Sequence, residues 1–161
     1  MNCHNGEKYL KESLQSVLNQ TYKNWELIFW DNRSIDKSKE IMEGLNDKRF
    51  KYFKSKKFNS LYESRNLALK KSKGKYICFL DTDDWWLKKK LFYQISELRK
   101  NPEIKFIFTN VYLYFQQKKE KKLYFNQKVP EGKITQFLLN NYIIGILTVM
   151  VSKDIFKKKK I

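Results

Sequence analysis

The sequence predicts an α/β fold, a mainly parallel sheet flanked by helices, on three observations. Helical and strand-like patterns alternate through residues 1–100, which implies parallel strands joined by covering helices. Two polar clusters, Asp31-Asn32-Arg33 and Asp81-Thr82-Asp83-Asp84, each close a short apolar run. Both therefore sit at strand carboxyl ends, where such sheets bind ligands. The 161 residues are 42% hydrophobic and 16% aromatic, with 5 Gly and 2 Pro, a composition suited to one domain of regular elements.

Taken in order, residues 7–20 place Tyr9, Leu10, Leu14, Val17 and Leu18 at helical spacing. Residues 25–30 form an apolar, aromatic run suited to a buried strand, ending at Asp31. Ser34 and Asp36 offer N-cap oxygens for a helix reaching about Leu45. Residues 49–53 alternate polar and aromatic, as in a strand with one exposed face. A helix over 61–73 carries Leu67, Ala68 and Leu69 and breaks at Gly74. A second buried strand covers 76–80, and a helix over 86–100 closes at Asn101-Pro102. Beyond it, 104–115 reads as one strand, paired across a Lys-rich turn with 123–125. A short helix over 134–140 and a strand over 147–151 complete the pattern.

The formal net charge is +17, with lysine runs at 88–90, 118–119, 121–122 and 157–160. Such an excess suits solvated faces, or polyanionic partners such as a lipid-phosphate surface. Cys3 and Cys78 stand far apart with no metal-type spacing, so a reducing cytosol is expected. No apolar run has transmembrane length and no signal peptide opens the chain. The expectation is a cytoplasmic protein, soluble or peripheral at the cytoplasmic membrane face. Aromatics interleave with lysines at Lys51-Tyr52-Phe53-Lys54, but no nucleic-acid motif accompanies them and the acidic strand ends repel phosphates, so no nucleic-acid partner is expected.

The acidic cluster carries the chemistry. Carboxylates this close need a cation or donors to offset their repulsion. A hard divalent ion, Mg²⁺ or Mn²⁺, would do so and would also bridge a diphosphate. The plainer reading is a helix N-terminus decorated with acids, which the dipole favours alone.

Five blocks in order resemble the family 2 glycosyltransferases of GT-A fold: His4-Asn5-Gly6-Glu7, Ser16-Val17-Leu18-Asn19-Gln20-Thr21-Tyr22, Asp31-Asn32-Arg33-Ser34-Ile35-Asp36, Ser64-Arg65-Asn66, and Phe79-Leu80-Asp81-Thr82-Asp83-Asp84. The resemblance implies a Rossmann-like nucleotide-diphospho-sugar transferase: residues 1–100 as the nucleotide-binding half and 101–161 as an incomplete acceptor-side half of a single partial domain. It implies a nucleotide-diphospho-sugar donor, a UDP-sugar first, and a glycan or lipid-linked acceptor. Asp31 would accept from the base N–H, His4 would line the base where the family usually has Tyr, and Glu7 would lie nearby. Asn32 replaces a second Asp and keeps its hydrogen bonding. Arg65 would approach the base or diphosphate. Asp81, with Thr82 beside it, would touch the ribose or metal-bound waters, and Asp83 would ligate the metal. Trp85 and Trp86 read as packing anchors.

Two departures matter. The family's first strand is largely missing, since only Met1-Asn2-Cys3 precedes His4; unpaired sheet edges, a core gap and weak stability are expected. The family's general base follows a stretch that would begin near Asp154, so no base is assigned. The expected function is metal-assisted, inverting sugar transfer by the parent of a truncated chain. The alternative is a non-catalytic module that binds a nucleotide or a partner.

Overall fold

A computed structural model describes residues 1–157; residues 158–161, including the end of the last lysine run, lie outside the described part. The chain builds β1 (Asn2–Cys3), α1 (Glu7–Leu18), β2 (Leu27–Asp31), α2 (Ser38–Glu43), β3 (Phe50–Lys54), α3 (Leu61–Lys71), β4 (Tyr76–Cys78) and α4 (Lys90–Lys100). Then come β5 (Phe106–Ile107), β6 (Tyr112–Phe115), β7 (Glu120–Leu123), α5 (Thr135–Asn140) and β8 (Met150–Ser152).

The parallel sheet has the order β1-β2-β3. All of β2 is buried, as a strand covered on both faces must be, which is why it reads as a continuous apolar run. One face packs Leu27 and Phe29 against Leu10, Leu14 and Val17 of α1 and Met42 of α2. The other packs Ile28 and Trp30 against Ala68 and Leu67 of α3. A capping box starts α3: the Ser60 side chain accepts from the Glu63 N–H, and Glu63 reaches back to the Ser60 N–H.

The second sheet, β4-β8-β5, is antiparallel. Its strand β8 seats Met150 against Leu91, Ile95 and Leu98 of α4. A separate two-stranded hairpin, β6-β7, completes the structure.

The expected short first strand is present as two residues, which continue the ladder on β2: Met1 N–H donates to Ile28 O at 2.9 Å, and Trp30 N–H donates to Met1 O at 2.9 Å. The two larger sheets are not joined. Between them lies a groove of about 730 Å³, lined by residues that include Met1, Leu27, Ile28, Ile77, Cys78 and Met150. Its lining is mixed, with Glu26, Arg65 and Arg99 beside the apolar side chains.

Several boundaries differ from the sequence expectation. The helix expected from residue 86 starts at Lys90, because α1 holds the backbone of the preceding loop, as described below. The helix expected to run to 73 ends at Lys71, where the Lys73 and Gly74 N–H groups both turn to Glu26 Oε1. Residues 104–115 divide into β5 and β6 at Asn110, whose Oδ1 accepts from Val111 and Phe125 N–H and whose Nδ2 donates to Phe125 O. The strand expected at 147–151 is reduced to β8 by a 3-10 turn over Ile146–Thr148. Asp154 sits in the first turn of a second one, Lys153–Lys157.

Candidate functional site

The carboxyl ends of β1, β2 and β4 bring the two polar clusters to one rim. After β2, Asp31 is fully buried. Its Oδ1 accepts from the Ser34 N–H at 2.7 Å and its Oδ2 accepts from the Tyr52 hydroxyl at 2.5 Å. Burial, and then Asp31, push the Tyr52 phenol far above its usual range, so Tyr52 stays a donor. Asn32 is buried as well. Its Nδ2 donates to Asn59 O at 2.8 Å and its Oδ1 accepts from Asn59 N–H at 3.0 Å, which ties the end of β2 to the loop before α3.

His4 is exposed and donates through Nδ1 to Asn32 O at 3.0 Å. Its ring meets Phe58 edge-on at 4.9 Å, and Phe58 is 63% exposed. Phe58 escaped the sequence reading, because nothing in its local pattern announces an aromatic on an exposed loop beside a strand end. Two non-glycine residues on this rim, Asn5 (φ 54°) and Arg33 (φ 68°), hold left-handed backbone, a strained state that clusters at functional sites.

Glu7 is placed differently from the base-lining residues. Its N–H donates to Asp36 Oδ2 at 2.9 Å, and its Oε2 accepts from the Lys37 N–H at 2.8 Å. The two acids thus satisfy N-terminal donors of α1 and α2 reciprocally. Asp36 also accepts from Ser38 N–H, whereas Ser34 turns its hydroxyl to the Asn5 N–H. Of the two N-cap residues expected for α2, Asp36 alone serves its first turn.

After β4, the loop Asp81-Thr82-Asp83-Asp84 is held from behind by α1. Ser13 Oγ donates to Asp81 O, Ser16 Oγ accepts from Trp86 N–H, and Gln20 Nε2 donates to Leu87 O while its Oε1 accepts from Leu91 N–H. Thr21 N–H donates to Lys88 O. These bonds give the block from Ser16 to Thr21 a physical meaning: its polar residues hold the loop that presents the acids. Gly6 completes the fit, since a Cβ there would lie 2.9 Å from Thr82 Oγ1 and 3.0 Å from Cys3 Sγ.

Arg65, from α3, donates to both oxygens of Asp81 at 3.0 and 3.2 Å. Asp83 is exposed and enters no ion pair among the described residues. Burial, then Asp83 and Asp81, push the Asp84 carboxyl from 3.8 up to about 6. Asp84 belongs to the motif but was not singled out as a site residue. Trp86 anchors the loop inward, donating from Nε1 to Leu147 O. Trp85 meets Tyr114 of β6 edge-on at 5.4 Å.

Asp83, exposed and without an ion pair among the described residues, fits a divalent cation chemically, whereas Asp81 is already paired with Arg65. Among the described residues no group of three ligand-type side chains is assembled to hold one, but Mg²⁺ commonly takes only one or two carboxylates together with substrate phosphates. The acids on this rim suit that partial shell.

The chain aligns with known proteins along nearly all its length. It is 36% identical over 155 residues to the Escherichia coli UDP-Glc:alpha-D-GlcNAc-diphosphoundecaprenol beta-1,3-glucosyltransferase WfgD, covering 96% of this chain and 59% of the relative. It is 31% identical to the Bacillus subtilis (strain 168) putative teichuronic acid biosynthesis glycosyltransferase TuaG, covering 94% and 60% respectively. The chain therefore spans about 60% of the length of these relatives. Its fold superposes on the crystal structure of S. aureus TarS 1-349 with a TM-score of 0.80 at 21% identity, over 97% of this chain and 46% of that one; TarS has also been solved with UDP and with UDP-GlcNAc. The family model "Glycosyl transferase family 2" matches residues 1–158, and the chain belongs to that family, with its GT-A fold.

Proposed function

We propose that this chain forms the donor-binding half of a transferase that moves a sugar from a nucleotide-diphospho-sugar to a glycan or lipid-linked acceptor. The observation that carries the reading is the convergence of the β2 and β4 ends on one rim. At one end the exposed rings of His4 and Phe58 stand beside the buried, internally bonded Asp31 and Asn32, and at the other an Arg lies beside a run of acids. That division suits a ligand with a planar base at one end and a charged diphosphate at the other.

On this reading His4, Asp31 and Asn32 form the base side, with Glu7 fixing the helix start behind them. A uracil base, as in a UDP-sugar, suits a site of donors and acceptors held this firmly. Arg65 is a fixed cationic fork for the diphosphate, and Asp81 and Thr82 face the ribose side. Asp83, with Asp81 nearby, would hold Mg²⁺ or Mn²⁺. The ion, when bound, offsets charge on the departing nucleoside diphosphate. The chain's own part is to orient the donor so that an acceptor hydroxyl attacks from the opposite face, with inversion. The named substrate of the E. coli relative, an undecaprenol diphosphate, supports a lipid-linked acceptor and with it a peripheral contact at the cytoplasmic membrane face.

Calorimetric titration of the chain with UDP, ADP and GDP in Mn²⁺ tests the reading. UDP is expected to bind at least roughly tenfold tighter than the purine nucleotides. Equal affinity for all, or none for any, would overturn the base-side assignment. UDP binding without turnover of a UDP-sugar would favour the non-catalytic module instead.

A further inference from the structure

The hairpin β6-β7 is the most exposed ordered element of the chain: every residue from 112 to 124 is exposed. It pairs only with itself, although a lone two-stranded hairpin is marginally stable in water. Strand alternation divides it into two faces. Tyr114 packs on Trp85 and Gln116 accepts from the Tyr9 hydroxyl at 3.4 Å, so the face with even-numbered β6 residues leans on the body, next to the acidic loop. The opposite face presents Leu113 and Phe115, each 44% exposed, with their cross-strand partners Lys122 and Glu120. Around the turn stand Lys118, Lys119, Lys121 and Lys122 against the single acid Glu120, and none of the four lysines enters an ion pair among the described residues.

We propose that this hairpin docks the protein on an anionic lipid surface, with Leu113 and Phe115 entering the headgroup region and Lys118, Lys119 and Lys122 meeting lipid phosphates, while Lys121, across from Tyr114, lies on the inner face. Exposed apolar side chains ringed by unpaired lysines are complementary to such a surface, which is negative outside and apolar just beneath. No helix among the described residues is long and apolar enough to cross a membrane. The proposal rests on the transferase reading for its purpose. The hairpin's inner face touches Trp85 of the acidic loop, so docking would set the donor site beside the surface that carries a lipid-linked acceptor.

Cosedimentation of the chain with vesicles of phosphatidylcholine alone, or containing phosphatidylglycerol, tests it. Binding is expected only to the anionic vesicles and should fall as salt rises. The variant K118Q/K119Q/K122Q should bind on the order of a hundredfold more weakly, and L113S/F115S roughly tenfold more weakly. A UDP-induced thermal shift serves as the control for folding and for the donor site, because neither variant touches that site. Loss of the UDP response in the unaltered chain would sink the transferase reading while leaving the docking result standing. Indifference of the unaltered chain to anionic vesicles would overturn the proposal. So would undiminished vesicle binding by the three-lysine variant. A solution dimer broken by L113S/F115S would assign the face to a second copy, and capture of single-stranded RNA lost with the same lysines would assign it to nucleic acid; either result, without vesicle binding, also overturns it.

Discussion

Arg65 and Asp81 form a two-oxygen contact, one guanidinium nitrogen lying 3.0 and 3.2 Å from the carboxylate oxygens. Arg65 comes from the middle of α3 and Asp81 from the loop after β4, so the pair ties that loop to the helix. Both side chains are partly exposed, 26% and 35%, which limits what the pair adds to stability. Arg65→Met is expected to change unfolding free energy by less than about 1 kcal/mol but to abolish nucleotide-diphosphate binding. Urea unfolding and UDP titration of the same variant check the two parts.

Tyr52 and Asp31 make a different kind of contact, a half-buried hydroxyl donating to a fully buried carboxylate. Tyr52→Phe removes the hydroxyl that Asp31 Oδ2 accepts from, leaving a buried carboxylate oxygen short of a donor. The expected loss is about 2 kcal/mol, read as a lower denaturant midpoint with unchanged slope. UDP binding should weaken as well, since Asp31 then no longer holds the loop at Ser34 in place.

Gly6 is required by close approach. The added methyl of Gly6→Ala would press on Thr82 Oγ1 and Cys3 Sγ, and overpacking of this kind costs about 1–3 kcal/mol. Thr82→Gly in the same chain removes the nearer obstacle, so the double variant should recover part of the loss. A double-mutant cycle by thermal unfolding checks the coupling.

The amino terminus gives stability a pH dependence. The Met1 ammonium is buried against Ile28 O, and burial lowers its pKa from 8.0 to about 6. A base whose folded pKa is depressed favours the folded state fully above the unfolded pKa, and the advantage disappears as pH falls through the folded one. Stability should therefore rise between pH 6 and 8, by at most about 3 kcal/mol. The Asp84 carboxyl, raised from 3.8 to about 6, acts in a separate window: its contribution is complete below pH 3.8 and lost as pH rises to 6. Thermal melts across pH 4–8 should pass through a minimum near pH 6. Acetylating Met1 should remove the upper limb alone.

What was legible in the sequence was local. The apolar run of β2, the Leu10, Leu14 and Val17 stripe of α1, and the acids after β4 each follow from periodicity or from neighbouring residues, and each lies where expected. The parts that were not legible depend on distant pairings. Strand β8 enters antiparallel between β4 and β5, with Met150 packed on α4, a pairing invisible in the local pattern of β8. Residues 86–89 have helical composition but stay irregular because Gln20, Ser16 and Thr21 engage their backbone. Glu7 bonds to the start of α2, a partner that its local pattern does not show. Phe58 gives no signal until the loop before α3 folds against His4.

The most direct test is a thermal-shift titration of the chain with UDP and Mn²⁺, separately and together, beside Asp83→Ala. A ligand that binds only the folded state stabilises it by about 2.7 kcal/mol at a hundredfold excess over its dissociation constant. The account predicts a shift with both ligands larger than the sum of the two alone, and its loss in Asp83→Ala. A cooperative transition that does not move with UDP and Mn²⁺ together would contradict it.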